Sequence, residues 1–139
     1  MKDNLTILTT THFKASAHIL ERGYPANHDR KNTSTELIEY MILNLYKKLN
    51  SNEIIHYISL DHDPKNEGSC EYLENLKLLS KKHPNIRLII TIKGIRESIL
   101  NLINSVETKY FLWFEHDWEF NSNISLVSLL NLMDKYNNI

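Results

Sequence analysis

Three short polar clusters carry the side chains of this sequence that could do chemistry: Thr10-Thr11-His12, Asp61-His62-Asp63 and Glu115-His116-Asp117. Each follows a run of β-branched, aliphatic or aromatic residues, where a strand would give way to a loop. Side chains alternate faces along an extended chain, so residues two apart share one. Glu115 and Asp117 are therefore expected on one side of a strand end, with His116 turned to the other. Two carboxylates placed in this way suit a hard divalent cation, Mn²⁺ or Mg²⁺, which takes oxygen ligands. Such an ion can bridge a pyrophosphate and neutralise charge as a nucleoside diphosphate leaves. His12 could hydrogen-bond a phosphate or a base.

The elements that must position these clusters follow from periodicity. Residues 5–10 read as a short buried strand, and 11–32 as a long loop carrying His12, His18, His28, Arg30 and Lys31. Thr33 and Glu36 form a capping-box pattern. The helix after it places Leu37, Ile38, Met41, Ile42, Leu45 and Leu49 at helical spacing. Residues 54–60 form a second strand, and Gly68-Ser69 opens a helix with Leu73, Leu76 and Leu79 on one face. Residues 86–92 are nearly all apolar, which suits a parallel strand covered on both faces. Gly94 precedes a third amphipathic helix, residues 110–114 form an aromatic fourth strand, and Asn123 is placed to cap a last helix. This alternation predicts an α/β, Rossmann-like domain: a mainly parallel four-stranded sheet in the order 3-2-1-4, flanked by helices. Ligands of such sheets bind beyond the carboxyl ends of the strands, where the three clusters lie.

Composition narrows the classes. The chain has 139 residues, 42% hydrophobic and 24% charged, which fits one domain with a core of its own. A net charge of −1 offers no basic excess for nucleic acid. The one cysteine, Cys70, can form no internal disulfide, which is compatible with a reducing compartment. No secretory leader pattern opens the chain and no apolar run approaches the ~20 residues of a membrane span, so a cytoplasmic location is expected. Neither G-x-G-x-x-G nor G-x-x-x-x-G-K-[ST] occurs. His12, His18 and His28 match no zinc spacing.

The stretch from Gly94 through Asp117 resembles the central block of the GT-A-type glycosyltransferases, especially the family-2-like members. Gly94 lies 21 residues before Glu115, the aromatic strand is Lys109-Tyr110-Phe111-Leu112-Trp113-Phe114, and Glu115-His116-Asp117-Trp118 resembles a variant DxD motif. Leu5 through Thr11 looks like the first strand of that family and residues 35–38 like the start of its first helix. The resemblance implies a nucleoside-diphosphate sugar as donor and a Mn²⁺ or Mg²⁺ ion on Asp117, with Glu115 directly or through water. It also implies a nucleoside contact from Asp61 and a pocket lined by Thr10, Thr11 and His12. The sequence departs from the family at Asp61-His62-Asp63-Pro64, where Asp-Asp-x-Ser is usual, and at Ile99-Leu100-Asn101, where Ala-Arg-Asn is usual. The family's acceptor-binding half and catalytic base would lie beyond residue 139. The expectation is thus a single donor-binding domain over 1–139 that binds donor without transferring sugar. A non-catalytic nucleotide-sugar-binding remnant is the alternative, as is a metal-dependent nucleotidyltransferase or phosphatase on a similar fold.

Overall fold

A computed structural model of the chain describes residues 4–13 and 33–136. The loop residues His18, His28, Arg30 and Lys31 lie outside the described residues. Strands β1 (Leu5–His12), β2 (His56–Asp61), β3 (Ile86–Thr91) and β4 (Tyr110–Trp113) alternate with helices α1 (Glu36–Leu49), α2 (Glu67–Lys82), α3 (Ile95–Asn104) and α4 (Leu126–Tyr136). The sheet is parallel throughout, in the order β3-β2-β1-β4. The α/β class and the strand order are as the sequence predicts.

Strand register decides what each face of the sheet carries. Ile7 pairs with His56 and Leu112, Thr9 with Ile58, and His56 with Ile86, so these residues share one face. On that face Leu5, Ile7, Ile58, Leu60 and Ile86 cluster with Ile38, Met41, Ile42 and Leu45 of α1, Tyr72, Leu76 and Leu79 of α2, and Leu130 of α4. Burying each such side chain contributes roughly 1.5–3 kcal/mol. On the second face α3 lies over β2, with Leu102 and Leu8 both fully buried and a Ser98–Ser59 hydroxyl hydrogen bond. Gly94, at φ 99°, turns the chain from β3 into α3 through a conformation that favours glycine. Among the described residues no helix is long and apolar enough to cross a membrane.

Several element ends differ from the sequence expectation. β1 runs on to His12, so the whole Thr10-Thr11-His12 cluster belongs to a strand. α1 starts at Glu36 and no capping box forms; Ser34 Oγ accepts the Glu36 N–H, while the Thr33 carbonyl accepts from Asn75. α2 is capped by Asn66, whose Oδ1 accepts the Ser69 N–H, and Ser125 rather than Asn123 precedes α4, its Oγ accepting the Ser128 N–H. The larger difference concerns β3, which α2 and α3 contact from opposite faces but cover only in part. It is an edge strand: Arg87 is exposed, Ile90 is 40% exposed, and Ile92 is 66% exposed and outside the strand. An apolar run records composition, whereas burial is decided by position in the sheet.

Candidate functional site

The parallel register carries four of the six expected site residues to one face of the sheet at its carboxyl edge. Thr10 pairs with Ser59 and His12 with Asp61, which puts His12 beside Asp61 on the second face. Leu8 pairs with Trp113, so Glu115, two residues on, reaches the same face from β4. The carboxylate of Glu115 is held there: Oε1 accepts the Trp113 indole N–H at 2.6 Å, and Oε2 a longer bond from the Thr10 hydroxyl at 3.4 Å.

Thr11 goes elsewhere. Alternation turns it to the main face, where it is 1% exposed and its hydroxyl lies 2.7 Å from Tyr72 Oη beneath α2. Burial raises the Tyr72 phenol above its ordinary pKa, and the Thr11 hydrogen bond opposes that shift. The Thr11 side chain is therefore turned away from the face that carries Thr10, His12 and Glu115.

The strand-end geometry expected for Glu115 and Asp117 stops at Glu115. The Glu115 carbonyl accepts the Trp118 N–H at 3.2 Å, closing a turn over 115–118, and strict alternation is lost beyond it. Asp117 is exposed on this turn. His116, expected to point away, folds back over β1. Its Nδ1 lies 3.1 Å from the Thr10 carbonyl, and its ring stands edge-on to His12 with centroids 6.3 Å apart. A carbonyl only accepts, so Nδ1 carries the proton and, in the neutral ring, Nε2 keeps the lone pair. Trp118 is 52% exposed and rests edge-on against Phe114.

His62 and Asp63 serve the β2–α2 turn. His62 Nδ1 meets Ser69 Oγ at 2.9 Å, the same hydroxyl accepts the Asp63 N–H, and Asp63 Oδ1 accepts the Lys65 N–H. Asp61, one residue earlier, is left half-buried at the strand end.

Beneath the site runs a buried hydrogen-bond chain that the sequence does not announce. Thr9 Oγ1 donates to the Phe114 carbonyl at 2.6 Å and lies 2.8 Å from His56 Nε2. The hydroxyl has one proton, so Nε2–H must donate to it. Nδ1 then accepts from Tyr46 Oη at 2.9 Å, and Tyr46 Oη accepts from Asn85 Nδ2, which also donates to the Ile54 carbonyl. Thr9 Oγ1, both ring nitrogens, Tyr46 Oη and Asn85 Nδ2 all have partners with a neutral His56. Burial, then the neighbouring His83, lowers its pKa to about 3. The chain ends at the residue before Glu115.

A metal has limited support in protein groups alone: among the described residues no three His, Cys, Asp or Glu side chains are grouped closely enough to cage an ion. Both Glu115 oxygens are engaged by Trp113 and Thr10, which leaves the carboxylates of Asp61, half-buried, and Asp117, exposed. Such a donor set fits an ion that arrives with phosphate oxygens, as Mg²⁺ commonly does, and does not fit a dedicated cage. A groove of about 410 Å³ opens near the opposite, amino edge of the sheet, between Lys47, Asn50 and His83. Its lining carries no carboxylate, so size and chemistry point to different ends of the molecule; the chemistry is the better guide here. No family model matches the chain, and no match was found to a curated protein or a solved structure.

Proposed function

We propose that the carboxyl edge of this sheet binds the nucleoside diphosphate of a sugar-nucleotide donor together with Mn²⁺ or Mg²⁺. The domain would then act as the donor-binding part of a GT-A-type glycosyltransferase. The observation that carries this reading is the convergence of Thr10, His12, Asp61 and Glu115 on one face of a 3-2-1-4 sheet, with Asp117 exposed on the turn that follows Glu115. Asp61 takes the nucleoside, Thr10 and His12 line the pocket, and Asp117 holds the ion that neutralises the diphosphate. Glu115 supports the ion through water while keeping its bonds to Trp113 and Thr10. The proposal is one of donor binding, and it assigns no general base. The cytoplasm, where nucleotide sugars are made, is the proposed location.

Calorimetric titration of UDP and of GDP, each with Mn²⁺ and with EDTA, tests it. Carboxylates and a diphosphate at close range repel one another, so binding should depend strongly on the cation. Equal affinity with and without metal, or no binding of either nucleotide, would overturn the proposal.

A further inference from the structure

We infer that His116 is a nitrogen ligand of the bound cation, a role that the two-carboxylate reading gives to Glu115. This inference rests on the donor-binding reading and deepens it. Three observations carry it. The first is the ring's orientation: Nδ1–H is donated to the Thr10 carbonyl at 3.1 Å, which fixes the tautomer and leaves the Nε2 lone pair to an incoming group. Histidines that ligate metals nearly always donate their other ring N–H to a carbonyl or a carboxylate, because that bond sets both tautomer and direction.

The second is the state of Glu115. Its Oε1 accepts the Trp113 indole N–H at 2.6 Å, so direct ligation would compete with a short bond already made. The third is the turn that replaces extended chain at 115–118. Extended geometry would have paired Glu115 with Asp117 and turned His116 away. The turn instead brings the His116 ring onto β1 beside His12, at the edge where Thr10 and Asp61 also lie.

The donor set this creates is mixed: one imidazole nitrogen, the Asp117 carboxylate, and phosphate oxygens from the nucleotide. Two protein ligands make no cage, in keeping with the absence of any three-residue cluster among the described residues. A nitrogen ligand changes which ion is preferred. Mg²⁺ takes oxygen almost exclusively, whereas imidazole suits Mn²⁺ less reluctantly and later transition metals such as Co²⁺ well. The site should therefore rank Co²⁺ and Mn²⁺ above Mg²⁺ when each is offered with UDP.

Pulsed electron paramagnetic resonance on Mn²⁺ bound with UDP reads the ligand directly. The inference predicts a ¹⁴N coupling from a directly bonded imidazole in the native protein, lost in His116→Asn. Asparagine can keep a donor near the place of Nδ1 and so preserve the bond to Thr10, but it has nothing at the place of Nε2. Mn²⁺ affinity in the UDP complex should fall by roughly tenfold or more, at least the loss seen when a ligand's supporting partner is removed. His116→Gln, with an amide oxygen near the place of Nε2, should narrow the preference for Co²⁺ over Mg²⁺. Both variants sit on a half-exposed turn, and unchanged circular dichroism and melting would show that they fold. Binding of Mn²⁺ and UDP without a nitrogen coupling, or a coupling that persists in His116→Asn, overturns this inference alone. Failure of Mn²⁺ and UDP to bind at all overturns the donor-binding reading as well.

Discussion

Acid offers a way to perturb the floor of the site without touching its surface, through His56. The side chain is fully buried, and its chain of partners is complete only when the ring is neutral, with the proton on Nε2. In the fold its pKa is lowered from 6.5 to about 3, mainly by burial and further by His83. The unfolded chain therefore takes up a proton below pH 6.5 that the folded chain refuses until about pH 3. The stabilising contribution is complete above pH 6.5 and is lost progressively as pH falls through that window. At pH 5 the unfolded state gains about 2 kcal/mol from this one group, at ~1.4 kcal/mol per pH unit below its own pKa. Against a typical total of roughly 5–15 kcal/mol, that loss is large. Urea denaturation at pH 7, 6 and 5, in the native protein and in His56→Gln, measures it. Glutamine offers an acceptor and a donor but does not titrate, so the native protein should lose about 2 kcal/mol more than the variant between pH 7 and 5. Parallel losses would refute the reasoning. Should the variant prove too unstable for comparison, ¹⁵N shifts of His56 supply the check: they should keep the neutral Nε2–H pattern down to pH 5, and titration near 6.5 would refute it equally.

Asp61→Ala should weaken UDP or GDP binding by roughly 1–3 kcal/mol, the range for a polar ligand group left without its partner; unchanged calorimetric affinity in a folded variant would remove Asp61 from the site. Thr11→Val should separate floor from lining, costing about 1–2 kcal/mol in urea denaturation because the buried Tyr72 hydroxyl loses its partner. Its nucleotide affinity should stay unchanged, and a selective loss of affinity would put the Thr11 side chain back in the pocket.

Strand order and fold class were legible because they rest on the βα alternation, which survives errors of a few residues at element ends. The gathering of Thr10, His12, Asp61 and Glu115 was legible for the same reason: each lies within two residues of the carboxyl end of a strand, and a parallel sheet brings strand ends of one kind to one edge. What could not be read was which face each residue takes once pairing continues or stops. β1 stays extended through His12, so Thr11 falls beneath α2, whereas β4 stops at Trp113 and the chain turns before Asp117. Nor could the Asn85–Tyr46–His56–Thr9 chain be seen in advance, since its members come from four separate places in the sequence and meet only after packing. A faint signal existed in His56, a polar residue opening a strand whose other inward positions, Ile58 and Leu60, are apolar.

Paramagnetic broadening by Mn²⁺ in the ¹⁵N-labelled protein tests the central claim most directly, because it reports binding and location together. With UDP or GDP present and Mn²⁺ well below stoichiometric, the amides of His12, Asp61, His116 and Asp117 and the Trp113 indole N–H should broaden first. Signals from Lys47 and Asn50 at the opposite edge should stay sharp, and Asp117→Asn should suppress most of the effect. Broadening centred on Lys47, Asn50 and His83, or none above a nucleotide-free control, would contradict a donor-binding site at the carboxyl edge of the sheet.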